Sequence, residues 1–143
     1  MTAPLCDAEK VKKTSILIVE DNLINRMVIN GLLKGIEAEI MFAENGELAV
    51  EQFRSSRFDL VLMDISMPVM DGITASKEIR QLEEDTGAEP TPIVAVTAHN
   101  DDEHRSLCKE AKMNGFVPKP VRAPELYKEV SNWLSINLQP ILG

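Results

Sequence analysis

The sequence predicts an α/β protein with a single parallel sheet of five strands. Short apolar runs alternate with stretches of helical periodicity along the chain, which is typical of repeated strand–helix–strand units. The first run, residues 15–19, is continuously apolar rather than alternating, as expected for a strand with helices on both faces. Acidic, hydroxyl and lysine side chains follow several runs, at the edge where open α/β sheets bind ligands.

Each strand is predicted from one apolar run, and the five runs are residues 15–19, 39–43, 59–63, 92–96 and 116–117. The second run is the least purely apolar, which indicates a strand at the edge of the sheet. The five predicted helices are residues 23–34, 47–55, 72–82, 101–113 and 124–137. Asp71 is predicted as the N-cap of the third helix, and Asn114–Gly115 is predicted to end the fourth. The polar residues 83–91 are predicted as a loop.

Helices on both faces of the sheet make a three-layer sandwich, and right-handed crossovers leave few topologies for it. The flavodoxin-like strand order 2-1-3-4-5 is favoured, because it is a common order of doubly wound sheets. In this order the carboxyl ends of the first and third strands lie side by side. Glu20 and Asp21, which follow the first strand, then converge with Asp64 at the end of the third.

The chain has 143 residues, which is enough for one domain with a sizeable core. We expect a domain over residues 14–137, with flexible tails at residues 1–13 and 138–143. The formal net charge of -8 argues against nucleic acid or an anionic membrane as a direct partner, since both require basic patches. The isolated domain is expected to be monomeric.

Cysteine usage and hydropathy predict a cytoplasmic protein. Cys6 and Cys108 lack the spacing of a zinc site and are interpreted as reduced thiols. Residues 1–13 contain no apolar core of signal-peptide length. No stretch approaches the roughly 20 apolar residues that a membrane helix needs.

The three carboxylates predicted at one edge of the sheet favour a divalent cation, because packed carboxylates repel one another unless a cation or protons relieve them. Mg²⁺ prefers oxygen ligands and keeps several waters, and Mn²⁺ is an alternative. Asp21 and Asp64 are predicted to supply carboxylate ligands, and Ser66 a backbone carbonyl. Glu20 is predicted to act through water. The competing interpretation, a set of unrelated caps and surface acids, does not account for the residues that follow the other strands.

Thr97 ends the fourth apolar run and Lys119 follows the fifth, and both side chains suit phosphoryl transfer. A carboxylate such as Asp64 can attack phosphorus and form an aspartyl-phosphate. The reaction depends mainly on positioning and charge neutralisation. Lys119 supplies a positive charge and Thr97 a hydroxyl group for a phosphoryl oxygen. We therefore predict Asp64, Lys119 and Thr97 as the catalytic group.

With these motifs in place, the chain resembles a response-regulator receiver domain, in particular those attached to hybrid sensor histidine kinases. The resemblance covers about residues 13–137, and the matching stretches are residues 16–22, 60–64, 67–72, 93–98 and 119–120. The segment from Asn22 to Asn25, followed by Arg26, is the part that resembles hybrid-kinase receivers most. Each stretch alone is a weak signal, but their order and spacing together are specific.

The resemblance implies a role for each site residue. Asp64 matches the phosphoacceptor, Glu20 and Asp21 the acidic pair, and Ser66 the carbonyl ligand of Mg²⁺. It also implies a phosphohistidine donor, carried by a sensor histidine kinase or a histidine phosphotransfer protein. The domain is expected to contribute to its own phosphorylation and dephosphorylation.

The resemblance also implies a conformational switch. Thr97 matches the switch hydroxyl, Phe116 the aromatic residue that moves with it, and Lys119 the lysine that contacts the phosphate. A cis peptide is expected between Lys119 and Pro120. Phe116 lacks the hydroxyl of the tyrosine that is common at this position, and a simple core role for its ring remains an alternative.

A partner surface is predicted on the first helix and on the loop after the fifth strand. The predicted core stripe of that helix is Val28, Ile29, Leu32, Leu33 and Ile36. Ile24 and Met27 lie outside the stripe, and excess apolar surface often marks a partner site. Histidine-bearing helices dock there in the resembling family, so the patch is predicted to be Ile24, Met27, Pro120 and Val121, with Asn25 at its rim. A wider core stripe is the alternative.

Three functions are conceivable for a site built around Asp64. The favoured one is a phosphorelay receiver, either a single-domain regulator or a receiver cut from a longer hybrid kinase. A receiver-like module that binds proteins without being phosphorylated is the second, but such modules typically lose an acidic residue or the lysine. A haloacid-dehalogenase-type phosphatase is disfavoured, because it carries an aspartate two residues after the nucleophile, where this chain has Ser66, and there is no cap domain.

Overall fold

The computed structural model describes residues 14–67, 69–99 and 101–134. Within them, one parallel sheet has the strand order β2-β1-β3-β4-β5. The strands are β1 Thr14–Val19, β2 Ala38–Ala43, β3 Leu60–Asp64, β4 Ile93–Thr97 and β5 Gly115–Pro118. The helices are α1 Leu23–Leu32, α2 Gly46–Ser55, α3 Gly72–Thr86, α4 Asp102–Glu110 and α5 Ala123–Leu134. The predicted flavodoxin-like fold is confirmed; the predicted tails and residues 135–137 lie outside the described residues.

The core lies on both faces of the sheet, because alternate residues of each central strand point to opposite sides. Every residue of β3 and β4 is buried. Ile16 and Ile18 of β1 pack with α1 and α5, whereas Leu17 and Val19 pack with α2 and α3. Full burial of each such aliphatic side chain contributes about 1.5–3 kcal/mol. These two layers hold the carboxyl ends of β1, β3 and β4 in a fixed arrangement.

Helix α3 is longer than predicted, because residues 83–86 are helical and not part of a loop. Glu83 accounts for the difference: it is buried, forms a 2.7 Å ion pair with Arg80, and accepts a 2.7 Å hydrogen bond from the backbone amide of Thr91. Gly87 then ends the helix in the left-handed conformation, with φ 71°. A polar side chain that is paired internally therefore resembled a loop residue in the sequence.

Helix α4 is shorter than predicted, and its end differs. It stops at Glu110, and Lys112 rather than Asn114 or Gly115 takes the left-handed conformation, with φ 62°. The side chain of Asn114 is used elsewhere: its Oδ1 atom accepts hydrogen bonds from the backbone amide of Ile93 at 2.8 Å and from Arg80 at 2.7 Å. Asn114 thus connects the start of β4 to α3.

Candidate functional site

Three carboxylates meet at the carboxyl edge of the sheet. Glu20 follows β1 and Asp64 ends β3, and these strands are direct neighbours in the sheet. Glu20 is 1% exposed and Asp64 2% exposed, whereas Asp21 is exposed. One oxygen atom of each of the three side chains lies within 4.8 Å of those of the other two. The convergence predicted from the strand order is therefore present.

Lys119 brings a positive charge to these carboxylates. It follows β5, and its Nζ atom lies 3.1 Å from Glu20 Oε1 and 3.2 Å from Asp64 Oδ2. Its amide donates a 2.9 Å hydrogen bond to the carbonyl of Thr97, and the peptide bond to Pro120 is cis, as expected. Burial opposes the ammonium charge, but the two carboxylates outweigh it and raise the pKa of Lys119 above its ordinary value.

The two side-chain oxygens of Glu20 have different partners, because Oε1 lies beside the Lys119 ammonium. Its Oε2 atom accepts hydrogen bonds from the Asn22 amide at 3.2 Å and from the Asn25 side chain at 3.4 Å. Burial, and then the negative charge of Asp64, raise the pKa of Glu20 above its ordinary value, although Lys119 opposes this. Among the described residues, the buried Oε1 atom makes no hydrogen bond of good geometry.

This oxygen cluster fits a hard divalent cation. Such a cation takes oxygen ligands, and it would relieve the mutual repulsion of the three carboxylates, which the single ammonium of Lys119 offsets only in part. Asn25, predicted at the rim of a partner surface, turns its amide toward Glu20. The neighbouring Arg26 donates a 2.8 Å hydrogen bond to the Glu20 carbonyl. Asn25 and Arg26 therefore fix the position of Glu20 and Asp21, the acidic loop after β1.

Asp64 is oriented by the loop that follows it. The backbone amide of Ser66 donates a 3.1 Å hydrogen bond to Asp64 Oδ1, while Oδ2 faces Lys119. Helix α3 begins close behind, with the predicted N-cap Asp71 accepting a 2.8 Å hydrogen bond from the Thr74 amide. Gly72 is required there, because a Cβ atom would lie 2.2 Å from the Asp64 carbonyl oxygen. The sequence did not predict these roles of the Ser66 amide and of Gly72.

The predicted switch residues lie beside the acidic cluster. Thr97 ends β4 and is buried, and its Oγ1 atom accepts a 2.9 Å hydrogen bond from the backbone amide of His99. Phe116 lies in β5 opposite Ala95 and is half-buried. The guanidinium carbon of Arg105, in α4, lies 4.6 Å from the centre of the Phe116 ring. Arg105 could not be predicted from the sequence, because no local pattern links it to β5.

Helix α1 exposes more apolar surface than predicted. Ile24 and Met27 are 68% and 63% exposed, and Leu23 is 60% exposed. Val28 was predicted in the core stripe, but it is 43% exposed, because the inward face of α1 is centred on Ile29. The exposed apolar face of α1 thus comprises Leu23, Ile24, Met27 and Val28. Of the other predicted patch residues, Pro120 is exposed and Val121 packs partly against the core.

The sequence matches the response regulator receiver domain family over residues 16–131, which is most of the chain. The chain belongs to this family. The receiver domain is 45% identical over 108 residues to hybrid signal transduction histidine kinase M of Dictyostelium discoideum, covering 74% of the chain but 4% of that protein. It spans 14% of the sensor histidine kinase GacS of Pseudomonas protegens, another relative. It is thus a small part of these relatives' length.

Two solved structures of other receiver domains are similar to this chain. One is the complex of the Saccharomyces cerevisiae histidine phosphotransfer protein Ypd1 with the receiver domain of Ssk1. The match has a TM-score of 0.80 and 33% sequence identity, and it covers 85% of this chain and 88% of the other chain. The other is the receiver domain of the sensor histidine kinase PA1611 of Pseudomonas aeruginosa, with a magnesium ion in its active-site cleft. That match has a TM-score of 0.77 and 34% sequence identity, and it covers 87% of this chain and 100% of the other chain.

These comparisons confirm the predicted family, and with it a receiver function in phosphorelay signal transduction. No helix within residues 14–134, as far as they are described, combines the length and the hydropathy needed to cross a membrane. The receiver domain thus groups three carboxylates in an acidic pocket, in the fold that a relative uses around magnesium.

Proposed function

We propose that Asp64 accepts a phosphoryl group from a phosphohistidine. An Asp64 oxygen forms the new bond to phosphorus as the bond from phosphorus to the imidazole nitrogen breaks, and the electron pair of that bond stays with the imidazole. The observation that carries this proposal is the position of Asp64, buried at the end of β3 with its Oδ2 atom 3.2 Å from the Lys119 ammonium. A buried carboxylate beside a cation is positioned for charge-neutralised phosphoryl transfer.

Each of the residues around Asp64 is assigned its own role in phosphoryl transfer and switching. Lys119 stays close to Oδ2 and offsets the negative charge that accumulates on the phosphoryl oxygens. The Ser66 amide holds Oδ1, which fixes the direction of the carboxylate. Thr97 releases the His99 amide and turns its hydroxyl toward a phosphoryl oxygen. Phosphorylation adds a charge of about -2, and Phe116 moves with Thr97 as a pre-existing equilibrium shifts.

The metal ligands proposed for Mg²⁺, or alternatively Mn²⁺, are Asp21, Asp64 and the Ser66 carbonyl, with Glu20 acting through water. The grouping of the three carboxylates within 4.8 Å of one another supports this set. When bound, the ion neutralises charge on the phosphoryl oxygens.

Replacing Asp21 with asparagine is expected to weaken Mg²⁺ binding at least about tenfold, because it removes a charged oxygen ligand from an exposed position. Asp21→Asn and wild-type protein would be titrated with Mg²⁺ in a calorimeter. Asp102→Asn, an exposed acid on α4, is the matched control and is expected to bind as wild type does. Equal affinity of Asp21→Asn and wild type would remove Asp21 from the ligand set.

The donor is proposed to be a sensor histidine kinase or a histidine phosphotransfer protein. It docks on a patch with Asn25 at its rim, formed by Ile24, Met27, Pro120 and Val121. The exposed apolar face of α1 lies directly after the acidic loop, so a helix seated on it can present a histidine to Asp64. This docking suits a single-domain regulator and a hybrid-kinase receiver alike, and the monomeric state and cytoplasmic location stay predictions.

Replacing Ile24 with aspartate is expected to slow phosphoryl transfer from a phosphorylated histidine phosphotransfer protein at least about tenfold, because it places a charge in an apolar contact. Transfer from acetyl phosphate, which needs no docking, should be unchanged. Leu48→Asp, an equally apolar exposed position on α2 across the sheet, is the control. If Ile24→Asp and Leu48→Asp transfer at the same rate, this surface is not the docking site.

The alternative, a receiver-like module that binds partners without phosphorylation, requires no response from Asp64. The retained acids and lysine disfavour it. A haloacid-dehalogenase-type phosphatase finds no support in the family match.

A further inference from the structure

We propose that Arg105 is a positioning residue that holds the Phe116 ring in its observed place and so lowers the population of the activated conformation. The inference rests on the proposed function, in which Phe116 moves when Asp64 is phosphorylated. It adds a restraint that acts on the switch from α4, outside the group of residues that touch the phosphoryl group.

The Phe116 ring lies between two different environments. On its inner side it packs against a small apolar cluster formed by Ile65, Ala95 and Cys108. Over the ring lies the guanidinium of Arg105, 4.6 Å from the ring centre, which is the geometry of a cation–π contact. The ring is only half-buried, so packing alone does not enclose it.

The Phe116 ring borders a cleft into which it can move. A surface cleft of about 400 Å³ adjoins Phe116 and is lined by Arg105, Cys108, Met113 and Gly115. Gly115 lines the cleft only with its backbone, because a Cβ atom there would point at the Glu129 carboxylate, which is not part of the cleft lining. Arg105 therefore forms a wall of the cleft and at the same time a cover of the ring.

The absence of a ring hydroxyl makes this contact more important. A tyrosine could be held in one position by a hydrogen bond through its hydroxyl, but a phenylalanine has no polar atom. The directional interaction that remains for Phe116 is that of its ring face with a cation. Loss of an exposed cation–π contact changes a two-state ratio by about twofold to fivefold. Removing Arg105 is therefore expected to favour the activated position of the ring by that factor.

The test combines two readouts on Arg105→Met, which keeps much of the apolar stem but removes the cation. The first is the affinity for beryllofluoride with Mg²⁺, a phosphoryl analogue that favours the activated state. The second is the fluorine resonance of a ring-fluorinated Phe116 without beryllofluoride. We expect Arg105→Met to bind beryllofluoride about twofold to fivefold more tightly, and its Phe116 resonance to move toward the position found with beryllofluoride.

Two further variants separate this role from a general effect of charge or folding. Arg105→Lys retains a cation and should restore much of the wild-type affinity and resonance. Lys109→Met removes a positive charge from the same helix but leaves the contact of Arg105 with the ring in place, and it should match wild type. A folded Arg105→Met with unchanged affinity or an unmoved resonance overturns the proposal, as does an equal effect of Lys109→Met.

Failure of the proposed function gives a different result. Wild type would then show no binding of beryllofluoride that depends on Asp64. The fluorine resonance without beryllofluoride would still report on the ring, and an unmoved resonance in Arg105→Met would show that Arg105 does not position it.

Discussion

Replacing Asp64 with asparagine is expected to abolish phosphoryl transfer to this protein, with a loss of about a thousandfold or more, on the scale seen when an enzyme loses its nucleophile. The amide nitrogen is not a nucleophile, and the amide oxygen carries no full charge. The fold should persist, because the asparagine oxygen can still accept the hydrogen bond from the Ser66 amide. Lys119 also keeps its ion pair with Glu20. Transfer would be measured with a radiolabelled phosphohistidine donor in the presence of Mg²⁺.

Asp59→Asn is the matched control for this variant. Asp59 lies just before the other end of β3, where its side chain accepts a 2.8 Å hydrogen bond from the Ser15 amide. It is exposed and remote from the acidic cluster, so its replacement should leave transfer unchanged. Labelling of Asp64→Asn at the wild-type rate would show that the phosphoryl group is held elsewhere.

Replacing Glu83 with alanine is expected to lower the free energy of unfolding by about 3 kcal/mol, because it leaves a largely buried charge without its partner. Glu83 connects α3 to the segment before β4: it pairs with Arg80 on its own helix at 2.7 Å and accepts a hydrogen bond from the amide of Thr91 at 2.7 Å. The Thr91 hydroxyl in turn donates to the Phe58 carbonyl at 3.2 Å. Equilibrium urea unfolding would measure the loss.

Two neighbouring variants test this explanation. Glu84→Ala, an exposed position on the same turn of α3, should change stability by less than about 0.5 kcal/mol. Glu83→Gln keeps the acceptor for Thr91 and should lose less than Glu83→Ala. Equal losses in Glu83→Ala and Glu84→Ala would mean that the buried network contributes nothing.

The acidic cluster could be predicted from sequence because it follows from topology. Once β1 and β3 are recognised as neighbouring parallel strands, the residues after them must share one edge of the sheet. Glu20, Asp21 and Asp64 therefore meet without any further information. Lys119 and Thr97 were found for the same reason, since they stand at the ends of β5 and β4.

The features that sequence could not predict depend on contacts between distant residues. Glu83 resembles a solvated loop residue until Thr91 and Arg80 fold against it. The rotation of α1 that exposes Val28 is set by packing, and a stripe drawn at helical spacing is too broad to resolve it. Arg105 resembles any exposed arginine of a polar helix, and its position over Phe116 exists only when α4 lies beside β5.

The most direct test of the central claim is to locate the phosphoryl group after transfer from a phosphorylated histidine phosphotransfer protein. The receiver would be trapped by borohydride, which reduces an aspartyl-phosphate, and its peptides would be analysed by mass spectrometry. We predict that the reduced residue is Asp64, and that its formation requires Mg²⁺. Modification at Asp21 or at another acid, or none at all while the donor keeps its phosphate, would contradict the proposed role of Asp64.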